Sequence, residues 1–407
     1  MKLIIFSQHF WPEKFRINSI VRYLSDNFKI EKISVFTAKP NYPNAFIQQK
    51  YNNFRFQSEF YHKNQIEIYR VPILSRGNAS SIRLALNYLS YIFFGVIYLK
   101  KIKKNDIAFV YCTSPVFQCI PAIIYSRLKK IPIIIWLQDL WPESIQETGH
   151  IKNRFIFKII KWISYKIYNS ADLILCQSEE FVDHMQNLNL KTSLRVLHNP
   201  AKENKFLSNY RNSKNLKKKI IFTGNLGKAQ NLENLTLALE MLNSDILNQV
   251  EFHFYGDGSE KIKFKNNILS SRISKSIHFH EPIFGKDYDN VMKNADAFLL
   301  PLKSGDAFSK TIPAKFQTYL SYYKPIISLA DGAIHKLIKN NNLGFANKSN
   351  DIESFKLNIN KFINLNDREL SQINTNCKNI FEKKFTLKVI SKKLYKILKN
   401  EIHKNST

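Results

Sequence analysis

Along the first half of the chain, short apolar runs alternate with stretches whose apolar residues recur every three or four positions. The runs Leu3–Ser7, Ile33–Thr37, Ile66–Val71, Ile107–Tyr111, Ile131–Leu137, Leu173–Cys176 and Leu194–Leu197 read as strands. Helical spacing lies between them, for example over Ile17–Asn27, Val116–Lys129 and Ile151–Tyr168. Runs that stay apolar at consecutive positions, such as 131–136, suit a parallel sheet covered on both faces. Strands alternating with helices imply right-handed crossovers and a doubly wound α/β domain. The segment 200–219 (PAKENKFLSNYRNSKNLKKK) breaks the pattern: it is polar, basic and nearly free of large apolar side chains, as a linker should be. The alternation then restarts, with strands at Ile220–Thr223, Val250–Tyr255, Ile277–His280, Ala297–Pro301 and Pro325–Leu329. Two α/β domains are expected, over 1–200 and 201–384. A closing segment, 385–407, is helical at Phe385–Lys404, with Leu387, Ile390, Leu394 and Ile397 on one side. Ligands of such sheets sit outside the carboxyl ends of the strands, so a two-domain chain is expected to bring two sets of loops to a central cleft.

Composition narrows the classes. At 407 residues and about 150 per domain, two domains fit. With 44% hydrophobic and 23% charged residues, the chain is neither disordered nor a disulfide-stapled miniature. Its four cysteines form no CxxC pair and no zinc spacing, which suits a reduced, cytosolic chain. Lys and Arg number 61 and Asp and Glu 32, a net charge of +29, so anionic partners or surfaces are expected. The start, MKLIIFSQHFWPEKF, has too short an apolar run for a signal peptide. Ile82–Leu99 is mostly apolar but interrupted by Arg83, Asn87 and Ser90, and followed by Lys100, Lys101, Lys103 and Lys104. That pattern favours a helix that packs in the core and presses one edge onto a bilayer over a membrane span. In 151–168, Phe155, Ile156, Ile159, Ile160, Ile163 and Ile167 form a stripe flanked by lysines. It suits a membrane-surface helix and a core helix with a basic solvent face equally well.

Candidate chemistry gathers at strand ends. Thr223-Gly-Asn-Leu-Gly-Lys-Ala-Gln230 lies between a strand and a helix, where glycines let backbone N–H groups approach an anion. A diphosphate cradle and an ordinary βα turn both fit this spacing. Gly256-Asp257-Gly258 follows the next strand in the same way. In Phe308-Ser-Lys-Thr-Ile-Pro-Ala-Lys-Phe-Gln-Thr318, a lysine just inside a helix start is disfavoured unless an anion neutralises it, which makes Lys310 and Lys315 candidate phosphate ligands. In the first half, Trp136-Leu-Gln-Asp139-Leu-Trp141-Pro-Glu143 places carboxylates and indoles at a strand end, as a sugar-handling cleft would. A helix cap beside a core tryptophan is the plainer alternative. Glu13, Arg16 and Asn18 sit analogously after the first strand, Arg16 as a clamp for an anionic group. Asp287-Tyr-Asp289 matches a DxD metal–nucleotide pattern, but it opens a helix, where Asp is a favoured cap. His278 and His280 share a strand face with no third ligand evident in sequence, an arrangement that is usually structural.

Taken together, these residues resemble glycosyltransferase family 4 of the GT-B fold, in its WbuB-like branch of O-antigen and capsule transferases. The markers are FWPEKFRIN (10–18), AKPNYP (38–43), RLALNYLS (83–90), TSPV (113–116), WLQDLWPES (136–144), GNLGKAQ (224–230), GDG (256–258), FSKTIPAKFQTYL (308–320) and KP (324–325), spread over nearly the whole chain. The resemblance implies retaining, metal-independent transfer without a cofactor, from a nucleotide sugar bound by the C-terminal domain to an acceptor bound by the N-terminal one. It further implies a UDP-linked N-acetylated or deoxyamino sugar as donor, and a polyprenyl-diphosphate-linked saccharide as acceptor. The setting would be the cytoplasmic face of the inner membrane, with an anionic lipid surface and no nucleic acid as partner, and the last helix would cross back to the N-terminal domain. Residue by residue, Gly224, Asn225, Gly227 and Gln230 fall in the diphosphate loop, with Gly256 and Asp257 beside it and Lys315 near the phosphates. Asp139 lies next to the position of the family's catalytic-face histidine; with Glu143 and Glu13 it is the expected catalytic set, and Arg16, Asn18 and Trp141 are expected on the acceptor side. The chain departs from the commoner pattern at the Glu-x7-Glu pair, where Lys310 and Thr318 stand. It also departs at the usual Arg and Lys of the diphosphate loop, where Asn225 and Gln230 stand, and at the Gly-Gly loop, replaced by 12–16. A UDP-sugar 2-epimerase of the same fold and a basic nucleic-acid-binding protein are the rival readings.

Overall fold

The computed structural model describes residues 1–42, 46–47, 49–51, 54–77, 80–147, 153–204 and 217–405. Most of the linker at 200–219, the first two residues of the helix expected from Ile151, and Pro43 of AKPNYP lie outside them. The chain divides into two compact units, Met1–Asn199 with Leu387–Thr407, and Pro200–Thr386.

The first unit holds an eight-stranded sheet of β1 (Lys2–Phe6), β2 (Lys32–Ala38), β3 (Gln57–Tyr61), β4 (Ile66–Val71), β5 (Ile107–Cys112), β6 (Ile133–Leu137), β7 (Leu173–Cys176) and β8 (Ser193–Val196). Their order is β3-β4-β2-β1-β5-β6-β7-β8, parallel throughout except for β3. The inner strands are buried on both faces, which is why they read as unbroken apolar runs. The edge strand β3 (QSEFY) has no such run because its residues alternate between partly buried and exposed. One face is closed by helix Arg16–Asn27 and by the final helix Leu387–Lys404, whose Ile390, Leu394 and Leu398 are fully buried in this core. Phe28 stacks on Tyr395 there at 4.4 Å.

The second unit holds six parallel strands: β9 (Lys218–Thr223), β10 (Val250–Tyr255), β11 (Ile277–His280), β12 (Ala297–Pro301), β13 (Ile326–Leu329) and β14 (Gly344–Asn347). Their order, β11-β10-β9-β12-β13-β14, reverses direction between β9 and β12, the point at which such sheets bind ligands. Helix Asp367–Lys384 begins with a capping box, in which Asn366 and Glu369 each accept the other's backbone N–H. It ends at Phe385, two residues before the final helix starts. Sequence reading had merged Phe385 into that helix; instead Phe385 is buried in the second core and its carbonyl accepts from Ala201 N at 3.0 Å.

Candidate functional site

In the second unit, the turns after β9 and β10 lie against each other and against helix Ala314–Leu320. Gly224 has φ +116°, and a Cβ placed there would meet Lys315 Cε at 2.8 Å. A Cβ on Gly256 would fall 1.9 Å from the Gly224 carbonyl oxygen, so only glycine lets these two turns touch. Leu226 N donates to Asp257 O at 2.8 Å, and Gly224 N to Tyr255 O at 2.8 Å. Tyr319 pins the helix to the sheet, its hydroxyl accepting from Thr223 N at 2.9 Å. A cavity of about 570 Å³ opens above these turns, lined by Gly224, Asn225, Gly256, Asp257, Lys315 and Thr318 together with Tyr255, Pro282–Phe284 and Tyr288.

Lys315 is the cation of this wall, which also carries the Asp257 carboxylate. Its Nζ donates to Gln230 Oε1 at 2.7 Å and to Asn225 O at 3.4 Å, and it lies 3.9 Å from the centroid of the Phe222 ring. Among the described residues no carboxylate pairs with it, and burial lowers its pKa from 10.5 to about 7. A partly buried cation facing a glycine-rich cavity, without an anion of the protein's own, is arranged to receive one.

Not every candidate joins this cavity. Gly227 and Gln230 do not line it; Gln230 acts by holding Lys315. Lys310 is corrected outright: Thr311 is extended and Pro313 precedes the next helix, so Lys310 ends one short helix instead of starting another. It pairs with Asp306 at 3.0 Å.

In the first unit the candidates fall into two loop clusters. Glu13 is buried, its Oε1 accepting from Asn41 N and Tyr42 N, both at 2.7 Å, and its Oε2 meeting His9 Nδ1 at 2.8 Å. The catalytic reading of Glu13 is therefore corrected: both oxygens are committed, and it positions His9, which stacks on Phe15 at 4.8 Å. Asn18, also buried, ties the same loop through its Nδ2, which donates to Glu13 O at 2.6 Å. Arg16 opens its helix, and burial lowers its pKa while the nearby Tyr111 opposes that shift.

After β6, Asp139 Oδ2 accepts from the hydroxyls of Ser114 and Ser144, tying the loops after β5 and β6 together. Trp141 is only 8% exposed and meets Phe117 edge-on, so it does not offer a face for a sugar to stack on. Here the core-tryptophan part of the plainer alternative holds. Glu143 lies 3.6 Å from His184, and its Oε2 has no hydrogen-bond partner among the described residues. Asp289 accepts from Tyr322 at 2.8 Å and pairs with Lys202, which commits it within the fold.

Sequence reading missed His9, whose place two to three residues past a strand end was the available signal. It also missed the aromatic and apolar segment Pro282–Phe284, which carries no motif. It also missed that register puts a third histidine, His253, directly beside His278.

Comparison with known proteins matches the Glycosyltransferase Family 4 model to residues 49–204 and the "Glycosyl transferases group 1" model to residues 203–380. A curated relative, the probable glycosyltransferase WbjE of Pseudomonas aeruginosa, is 23% identical over 300 residues, covering 70% of this chain and 72% of WbjE. Anabaena Alr3699/HepE, crystallised with UDP, is 14% identical, with a TM-score of 0.69 over 98% of this chain and 100% of that one. The lipopolysaccharide outer core galactosyltransferase WaaB, in its apo form, is 15% identical, with a TM-score of 0.67 over 99% of both. Two adjoining family models and a shared whole-chain architecture agree with the motifs and the two sheets: the chain is a glycosyltransferase of the GT-B fold, similar to family 4 over residues 49–204.

Proposed function

We propose that the enzyme moves a sugar from a UDP-linked donor, an N-acetylated or deoxyamino sugar, to a polyprenyl-diphosphate-linked saccharide in O-antigen or capsule assembly, with retention and without a metal. The observation that carries the donor half is Lys315, held without a carboxylate partner where the Gly224 and Gly256 turns meet. Its charge stabilises the negative charge that grows on the departing diphosphate. The UDP complex of HepE, which shares the fold, supports a nucleotide-linked donor. Phe284, 79% exposed on the cavity rim, is the platform for the base. The pathway rests on the relationship to WbjE and on the WbuB-like motifs. On the acceptor side, Asp139 fixes the loop that carries Glu143.

A lipid-linked acceptor places the enzyme at the inner face of the cytoplasmic membrane. Among the described residues one helix, Ser81–Lys101, is long and apolar enough to cross a bilayer. It turns Asn87, Ser90 and Gly95 inward, whereas Ile82, Leu86, Leu89, Phe93 and Ile97 point outward. On helix Arg154–Tyr168, Phe155, Ile156, Ile159 and Trp162 are likewise exposed. Two exposed apolar faces among lysines suit peripheral docking on anionic lipid, where each well-placed basic residue contributes about 1 kcal/mol.

Turnover of UDP-sugars by the intact protein, with and without lipid-linked saccharide extracts, tests this reading. Sugar transfer that needs the extract, and falls by about 100-fold or more in Lys315→Ala, is expected. Donor consumption that ignores the acceptor would overturn the transferase assignment.

A further inference from the structure

On β10, Val250, Phe252 and Phe254 are buried in the core, which sends Glu251, His253 and Tyr255 to the opposite face. The parallel register with the edge strand β11 sets His278 beside His253 and His280 beside Tyr255. Three imidazoles and a carboxylate thus share a small area of sheet. His253 Nε2 lies 3.3 Å from Glu251 Oε2, and the His253 and His278 rings are 4.7 Å apart. One ligand atom from each of Glu251, His253 and His278 lies within 4.8 Å of the others. The second nitrogen of His253, Nδ1, is hydrogen-bonded to His280 Nε2 at 3.0 Å. A partner on the far nitrogen is what fixes the ring and tautomer of a metal-bound imidazole.

We propose that Glu251, His253 and His278 form a site for a divalent transition metal of the zinc, cobalt or nickel type, with His280 orienting His253. Two imidazoles and one carboxylate form the donor set of a borderline ion and leave a position for water; they do not suit magnesium or calcium, which prefer oxygen ligands. Small side-chain rotations close the present spacing to the edge of a coordination tetrahedron, about 3.4 Å for bonds of about 2.1 Å. Lys219 on β9 opposes a cation here, and the Glu251 carboxylate offsets it. The metal would clamp the edge strand β11 to β10. Through His280 it also reaches the donor cavity: the Tyr255 ring stacks on His280 at 4.2 Å and lines that cavity. This ion is distinct from the transfer chemistry, which proceeds at Lys315 without it.

The test is cobalt and zinc titration of the tag-free, chelator-stripped full-length protein, followed by absorption spectroscopy and calorimetry. One equivalent is expected to bind with a d–d spectrum of low coordination number and a raised melting temperature, while magnesium gives no shift. His278→Asn and Glu251→Gln should each weaken binding by at least tenfold. Both should keep the wild-type circular dichroism spectrum and the stabilisation by UDP, which separates loss of the site from loss of fold. Failure of the wild type to bind one equivalent, or binding of equal strength in His253→Gln and His278→Asn, would overturn the proposal whether or not UDP binds.

Discussion

Lys315 is the cation on the wall of the proposed donor site, and its proton gives a handle on it. In the ligand-free fold its pKa is about 7, against 10.5 when exposed. Between those values the unfolded chain binds more protons than the folded one, so this residue makes stability rise as pH climbs from about 7 toward 10.5. Lys315→Met should therefore flatten the pH dependence of the melting temperature between pH 7 and 9 relative to wild type, as read by scanning fluorimetry. An unchanged slope would mean that the lysine is already neutralised. Gly256→Ala makes a second residue-scale test. Its methyl would strike the Gly224 carbonyl, a backbone atom that cannot swing aside. A loss of about 1–3 kcal/mol in denaturant unfolding is expected, with UDP binding lost alongside. The sequence marked Gly224, Gly256 and Lys315 because turn chemistry and helix electrostatics are local, whereas Thr318 was marked only through the family resemblance. It misjudged Glu13 and Trp141 because a side chain's partners are not local. Nothing in FWPEKF says that two amides from residues 41 and 42 converge on Glu13, nor that Phe117 covers the indole of Trp141.

Among the elements, the buried parallel strands were legible because both their faces are apolar. The short terminal strand β14 (GFAN) and the alternating edge strand β3 offer no such run. Helix Ser81–Tyr98 shows the limit of composition. Its apolar content was evident, yet which side faces inward was settled by Asn87, which donates to Leu74 O at 2.6 Å and Asn41 Oδ1 at 3.1 Å and accepts from Gln8 Nε2 at 3.0 Å. Saturating those bonds turns the polar stripe inward and leaves the apolar stripe outside. Replacing both Leu89 and Phe93 with Asp should reduce binding to anionic liposomes by at least tenfold, since each apolar side chain is worth about 1.5–3 kcal/mol when buried. Flotation measures it. The double variant should keep its stability, because both side chains are exposed; unfolding instead would show that the face packs within the protein.

For the molecule as a whole, a net charge of +29 makes the proposed lipid association a matter of ionic strength. Raising salt from 50 to 500 mM should release the protein from anionic vesicles while leaving UDP binding in the sheltered cavity much less affected. The restart of strand–helix alternation after residue 219 made two domains readable, since each sheet must build its own core. Where the last helix begins was blurred, because Phe385 and Leu387 continue one apolar rhythm while serving different cores. The central claim is that a nucleoside diphosphate completes the charge of Lys315. The most direct measurement is calorimetry of UDP binding at pH 8 in two buffers of different ionisation enthalpy. Wild type should take up close to one proton on binding, and Lys315→Ala should bind at least tenfold more weakly with no uptake. Absence of UDP binding, or binding with no proton uptake in the wild type, would contradict the account.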